Sequence, residues 1–303
     1  MVRDVIEGRK EPVTPRDAAT VMLLRPAVLA RGDDPPEPPA VLARGDDPPE
    51  SPAAATAAAG ESDETGRGFE VYMLCRKPTM AFAPGAYVFP GGSVDQRDAD
   101  EEVAWAGPDV GTWARQLATT PQLARALVCA AVRETFEESG VLLAGPTAET
   151  VVADTTGDDW EADRQGLLDR SQSLAEMLAA RGLILRSDLL RPWSRWITPA
   201  LEPRRFDARF FAAALPEGQR TRDVGGEASA VQWISPAAAL DAGRANQIEL
   251  WFPTAMTLAE LADHDDIDSV LAARREIAPR LPELSVEDGE VWLSAPGDKE
   301  YPL

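Results

Sequence analysis

Two short runs near the N-terminus, Ala19–Leu24 (ATVMLL) and Phe69–Cys75 (FEVYMLC), are dense in β-branched, aromatic and aliphatic residues and are bounded by breakers. Such runs predict strands, here the two arms of a hairpin. Between them stands a tandem repeat, PAVLARGDDPPEP from Pro26 and PAVLARGDDPPES from Pro39, followed by the alanine stretch Ala53–Ala59. Two copies are too few for a solenoid, and the prolines forbid a regular helix or a central strand. Residues 26–66 therefore read as a flexible, disordered insertion in the N-terminal hairpin. From Pro121 to Gly140 the period changes. Leu123, Leu127, Ala130, Ala131 and Thr135 recur at nearly helical spacing, Thr120 is placed to cap the start and Gly140 to end it. Residues 160–182 also read as helical, and strands are predicted at 196–198, 206–213 and 230–234. Helices opening with an early proline follow at 236–245 and 253–263, and a last strand at 291–293. The mixture predicts an α/β fold with helices flanking a mixed sheet.

The chain of 303 residues is 44% hydrophobic, enough for a single domain over 1–303 with a C-terminal extension at about 264–303. No run is long and apolar enough to span a bilayer, and the charged residues 1–17 lack the core of a signal peptide. The expected location is cytoplasmic, with no membrane partner. Cys75 and Cys129 sit in apolar runs, which fits buried thiols better than a disulfide. The net charge of −21 excludes a general nucleic-acid binder, which needs a cationic face. It also means that an anionic substrate would need local positive charge from metal and arginine.

One segment carries chemistry: Arg133-Glu-Thr-Phe-Glu-Glu-Ser-Gly-Val141. On a helix, Glu134, Glu137 and Glu138 share one face. Three like charges there repel unless a counter-charge is present, and a hard divalent cation is the natural one. A solvated acidic face is the plainer reading of the carboxylates alone. The preceding arginine, the closing glycine and the upstream Phe89-Pro90-Gly91-Gly92 favour a metal site.

These residues resemble the Nudix hydrolase signature. Arg133, Glu134, Glu137, Glu138, Gly140 and Val141 match its second half, and Gly92 resembles its opening glycine; Thr135 replaces an aliphatic residue. Gly92 and Arg133 stand 41 positions apart, far more than the family spacing, so a segment is inserted. Arg125 occupies the position of a family glutamate that braces the loop–helix–loop; Asp95, Asp98, Glu101 and Glu102 are the candidates to replace it. The resemblance implies a Nudix α/β/α sandwich with a mixed sheet and extra helices. It implies Mg2+ or Mn2+ held by Glu134, Glu137 and Glu138, with Arg133 assisting catalysis, and hydrolysis of a phosphoanhydride bond in a nucleoside-diphosphate-linked small molecule. It leaves a homodimer open.

Within the family, the upstream run resembles the branch of peroxisomal and mitochondrial coenzyme A diphosphatases, which split coenzyme A into 3′,5′-ADP and 4′-phosphopantetheine. Arg76, Gly85, Phe89, Pro90, Gly91 and Gly92 are in register, while Ala81 stands where that branch has a second arginine. Arg76, Gly91 and Gly92 are accordingly expected at the substrate. In Arg204-Arg-Phe-Asp-Ala-Arg-Phe-Phe211, strand alternation places Arg205 and Arg209 on one face with Asp207, and Phe206, Ala208 and Phe210 on the other. Arg205 and Arg209 are candidates to clamp a diphosphate, weighed equally against a solvated strand face. Glu227 is the candidate additional metal ligand or general base, against a plain turn glutamate. His264, the single histidine, reads as a solvated loop residue, and Trp193, Trp196 and Trp251 as core packing before base stacking. The competing function is a Nudix-fold nucleotide-binding or regulatory module without turnover.

Overall fold

The computed structural model describes residues 11–27, 68–80, 82–100, 103–200, 202–222, 228–287, 290–294 and 301–302; the repeat lies outside them. The first strands are β1 (Arg16–Pro26), β2 (Phe69–Arg76), β3 (Ala86–Val88) and β4 (Gly91–Ser93). Next come α1 (Gln96–Asp100), β5 (Trp105–Ala106), α2 (Val110–Gln116) and the long helix α3 (Pro121–Ser139). They are followed by β6 (Ala144–Gly145), α4 (Asp158–Leu168), α5 (Leu174–Ala180), β7 (Ile184–Arg186), β8 (Arg191–Ile197), β9 (Phe206–Ala214) and β10 (Ala228–Ile234). The C-terminal part holds α6 (Pro236–Arg244), β11 (Glu249–Leu250), α7 (Phe252–Ala262), α8 (Ile267–Ala272) and β12 (Pro279–Arg280). It ends in β13 (Glu283–Glu287), β14 (Glu290–Ser294) and β15 (Tyr301–Pro302), a sheet of their own.

The main sheet is mixed, in the order β11-β3-β2-β1-β9-β8-β12, with β10 also on β2 and β4 also on β1. β1 runs parallel to β9 from Arg16 to Leu24 and antiparallel to β2 at Leu24–Pro26, so the expected hairpin is present. The central strands are covered on both faces. Val21 and Leu23 of β1, Tyr72 and Leu74 of β2, and Phe211 and Ala213 of β9 pack with Leu127, Val128 and Phe136 of α3. Their alternates Met22 and Leu24, Val71 and Met73, and Phe210 and Ala212 pack with Phe252, Met256, Leu258 and Leu261 of α7 and Val270 of α8. Double coverage is why these strands read as unbroken apolar runs instead of alternating with polar residues. The result is an α/β/α sandwich, as expected from the resemblance.

The segment between Gly92 and Arg133 is built into the fold. Trp113 of α2 is 1% exposed, belongs to the core under α3 and meets Phe211 of β9 at 6.0 Å between ring centres. Its strand β5 pairs with β7 in a small sheet completed by β6. The helical reading of 160–182 needs one correction: α4 ends at Leu168 and α5 begins at Leu174. The break is chemical. Arg170 adopts a positive φ of 63°, and Ser173 with Glu176 forms a capping box that starts a new helix. Beyond residue 264, Val270 and Ile277 are buried, so this stretch contributes to the core.

Trp113→Ala removes a buried indole from between α2, α3 and the sheet and is expected to cost about 3–5 kcal/mol. Urea denaturation checks this; a loss below about 1 kcal/mol, the range of substitutions that create no cavity, would show that the inserted segment is not part of the core.

Candidate active site

Helix α3 is fixed at both ends. The Thr120 hydroxyl accepts from the Leu123 amide at 3.2 Å, and Gly140, at φ 75°, donates its amide to the Phe136 carbonyl. A left-handed residue at that position favours glycine. The apolar face of α3 lies on β1 and β2, so its last turns carry Arg133, Glu134, Glu137 and Glu138 to the edge of the sheet, beside β4.

Arg133 is at the centre of this group. Its Nη1 donates to Glu134 Oε1 at 2.8 Å and Glu137 Oε1 at 3.2 Å. Its Nε and Nη2 grip both oxygens of Asp98, at 3.1 and 2.9 Å, and Nη2 also reaches the Ser93 carbonyl. Asp98 is 5% exposed. Of the four acids proposed to replace the family's bracing glutamate, Glu101 and Glu102 lie outside the described residues; of the other two, Asp98 meets the arginine, while Asp95 pairs with Arg97 and Arg170. Burial disfavours the Arg133 cation, but Glu134, Asp98 and Glu137 outweigh this and hold it charged. Burial raises the carboxyl pKa of Glu134 and of Glu137; Arg133 opposes it, and neighbouring carboxylates add to the rise. Glu138 accepts from the Gly91 amide at 2.8 Å.

The paired glycines permit this proximity. A Cβ on Gly92 would stand 2.4 Å from Glu134 Oε1, and one on Gly91 would stand 2.5 Å from the Ala19 carbonyl oxygen of β1. Either would push β4 away from the carboxylates or from the sheet. Among the described residues, no three acidic, histidine or cysteine side chains already converge as a metal cage. The donor set nevertheless suits a hard divalent ion: three carboxylates from one face, two of them short of solvation, with Arg133 as their shared counter-charge.

All three glutamates open into one cavity of about 1580 Å³. Its walls include Gly91, Gly92 and Arg133 near the carboxylates, Arg76 beside Phe82, and Arg97, Arg164, Arg170, Arg204 and Arg244. In a chain of net charge −21, the lining of this cleft sets its arginines against Asp95, Glu134, Glu137, Glu138, Glu202 and Glu249, a near balance of charge.

The family model described as the NUDT19 Nudix domain matches residues 112–261. The chain is 28% identical over 290 residues to the human acyl-coenzyme A diphosphatase NUDT19, covering 81% of this chain and 76% of that one. It is 25% identical over 282 residues to the Xenopus laevis protein of the same name, covering 77% and 72%. The fold is similar to the crystal structure of a NUDIX hydrolase from Alicyclobacillus acidocaldarius, with a TM-score of 0.61 and 23% identity over 88% of this chain and 99% of that one. The chain belongs to the Nudix hydrolase family. It is a pyrophosphohydrolase of the branch similar to NUDT19.

In this Nudix hydrolase the helix residues, Arg76 and the two glycines come together, and Arg205 and Arg209 do not join them. The cavity is lined by Phe206, Ala208 and Phe210 of β9, the face opposite Arg205 and Arg209. Arg209 has a side chain only 2% exposed, pairs with Asp17 at 2.9 Å and Asp207 at 2.8 Å, and leaves its Nε without a partner. Arg205 donates to the carbonyls of Thr198 and Val13. Arg209 ties β9 to β1, and Arg205 ties it to the segments before β1 and after β8, so neither lines the cavity where a diphosphate clamp would stand. Glu227 lies outside the described residues. His264 sits in a loop, 3.3 Å from the Ser269 hydroxyl and 5.7 Å from the Trp193 ring centre. Of the tryptophans, Trp193 is buried core, while Trp196 and Trp251 reach the cavity.

Two contributors were missed from the sequence. Arg164 of α4, 1% exposed, donates to the Glu137 carbonyl at 2.9 Å and pairs with Glu161. Arg97 pairs with Asp95 on the cavity wall. Neither stands in a motif; only the folding of α4 against α3 and of α1 beside β4 brings them in.

Arg209→Ala is expected to destabilise the protein by about 3–5 kcal/mol, because it strips a buried counter-charge from Asp207 and Asp17, and to leave KM unchanged. Chemical denaturation beside steady-state kinetics separates the cases: a raised KM at unchanged stability would return Arg209 to the substrate.

Proposed function

We propose that this enzyme hydrolyses the diphosphate of coenzyme A and acyl-coenzyme A in a divalent-metal-dependent reaction, giving adenosine 3′,5′-bisphosphate and the (acyl)phosphopantetheine. The observation that carries the reading is that Glu134, Glu137 and Glu138, from one helix, all line a cavity that also holds Arg76, Arg133 and Arg204. The names of the relatives, acyl-coenzyme A diphosphatases, support the substrate class.

Glu134, Glu137 and Glu138 would hold the metal, with magnesium or manganese as the ion whose preference for oxygen donors matches them. Such an ion, when bound, supplies charge neutralisation at the diphosphate and acidifies water. The chain's own residues do the rest. Arg133, anchored by Asp98, aligns Glu134 and Glu137 and offsets part of the burial that disfavours their charged forms. The Gly91 amide orients Glu138. Arg164 holds the backbone of Glu137 in place. Arg76, whose Nε donates to the Phe82 carbonyl at 3.1 Å, presents a cation on the cavity wall for a phosphate oxygen. Gly91 and Gly92 let β4 pack directly against β1 and the Glu134 carboxylate.

Glu137→Gln and Glu138→Gln should each lower kcat for acyl-coenzyme A by more than about 100-fold, the usual upper cost of losing an outer-sphere partner, with the melting temperature retained. EDTA should abolish turnover and magnesium or manganese restore it. Near wild-type rates in either variant would remove that glutamate from the site; tight binding without cleavage by the metal-loaded wild type would favour a regulatory module.

In Gly92→Ala, the new methyl would displace the Glu134 carboxylate. Weakened metal affinity, read by calorimetry with manganese, is expected at unchanged secondary structure. An unchanged affinity would show that the close approach of β4 to Glu134 plays no part in holding the ion.

A further inference from the structure

The cavity is larger than a diphosphate requires. Its volume of about 1580 Å³ exceeds the usual range of about 300–1,000 Å³ for small-molecule sites. Away from α3 it ends in a wall of three aromatic rings. Phe82 meets Phe206 edge-on at 5.1 Å and Trp251 at 4.8 Å, joining the start of β9 to the segment after β11. Next to Phe82, Ala83 is 2% exposed and adopts a φ of 47°. A non-glycine residue held in this region stores strain that tends to gather at ligand sites.

Arg204 stands on the same wall. Its neighbours in the arginine-rich run are committed elsewhere: Arg205 to two main-chain carbonyls, and Arg209 to Asp17 and Asp207. Arg204 is exposed and has no ion pair among the described residues. The other charges of this wall are Arg76, whose Nε donates to the Phe82 carbonyl at 3.1 Å, Arg244, paired with Asp241, and the carboxylates of Glu202 and Glu249, the latter accepting from Trp251 Nε1 at 3.0 Å. Asn246, at the turn before β11, adds an amide.

We propose that this wall is the subsite for a phosphorylated nucleoside, with the base against Trp251, Phe82 and Phe206 and a phosphomonoester, separate from the diphosphate that is cleaved, on Arg204. An aromatic face accepts any base by stacking, and a guanidinium matches two phosphate oxygens at once. An apolar tail at this wall would cover Arg204 without supplying a counter-charge, an unfavourable exchange. The other half of the substrate then runs towards α4, where Leu167 and Leu168 line the cavity. This assignment rests on the proposed reading of the substrate as coenzyme A-like.

The test uses the full chain and calorimetric titration with adenosine 3′,5′-bisphosphate and with AMP. Wild type is expected to bind the bisphosphate about tenfold more tightly, the effect of one charge-assisted contact. Arg204→Gln should remove that preference and leave AMP binding unchanged, and Trp251→Ala should weaken both. In turnover, Arg204→Gln should lower kcat/KM for coenzyme A and spare 3′-dephospho-coenzyme A. No preference in wild type, or an equal loss for both nucleotides in Arg204→Gln, overturns the subsite. Binding with the expected preference but no cleavage of either thiol would keep the subsite and refute the proposed activity; cleavage without preference would do the reverse.

Discussion

One guanidinium holds the reactive corner together. Arg133 is the shared partner of Asp98, Glu134 and Glu137, in a place where each carboxylate is nearly closed off from solvent. Without that cation, three buried acids within reach of one another would protonate or separate, since neither desolvation nor mutual repulsion would be offset. Asp98 comes from the inserted segment and the glutamates from α3. The same contact that neutralises the acids therefore ties the insertion to the catalytic helix. The insertion has its own reason to stay folded, because Trp113 is sealed under α3 against Phe211.

The backbone around this corner is as constrained as the charges. β4 approaches β1 through Gly91 and α3 through Gly92, and in both directions the space for a methyl group is already occupied. The close approach lets the Gly91 amide reach Glu138 and the Ser93 carbonyl reach Arg133. Sheet, loop and helix are thus in register through main-chain atoms, which depend less on side-chain rotamers than a surface ion pair does. Arg164 extends the arrangement by fixing the carbonyl of Glu137 from α4.

Much of this was legible in the sequence because it is local. The spacing of Glu134, Glu137 and Glu138, the Thr120 cap and the Gly140 stop lie within one helix, and they specify it with no knowledge of its neighbours. The apolar runs of β1 and β2 marked strands covered on both sides. The alternation of Phe206 to Phe211 was also readable, with Arg205 and Arg209 on one face and Phe206, Ala208 and Phe210 on the other. Which face would line the cavity was not readable. Both faces of β9 are packed, and the choice depends on Asp17, which lies 192 positions away from Arg209 and is brought beside it by parallel pairing. The break at Asp169–Ser173 was missed for a different reason: the polar run Asp-Arg-Ser-Gln-Ser also fits a solvated helix face, and the positive φ of Arg170 and the Ser173–Glu176 capping box are what divide the two helices.

The fate of the arginines shows how an acidic chain can keep a cleft from sharing its net charge. Among the described residues, many are spent on ion pairs: Arg195 and Arg209 on Asp207, Arg186 on Asp188, Arg181 on Asp159 and Asp163, Arg133 on its three acids. A one-to-one pair such as Arg186–Asp188 is internally neutral and adds little to the field at a distance, whereas Arg133 with its three acids leaves carboxylates in excess. The long-range field is then left to the excess of surface carboxylates, and the local field in the cavity to the cations that the fold has not neutralised. Surface charges are screened within about 8–10 Å at physiological salt, whereas charges facing one another across a low-dielectric cleft are not. The net charge of the chain therefore says little about the sign of the potential where a substrate binds, and a net charge of −21 is compatible with a site for polyanions.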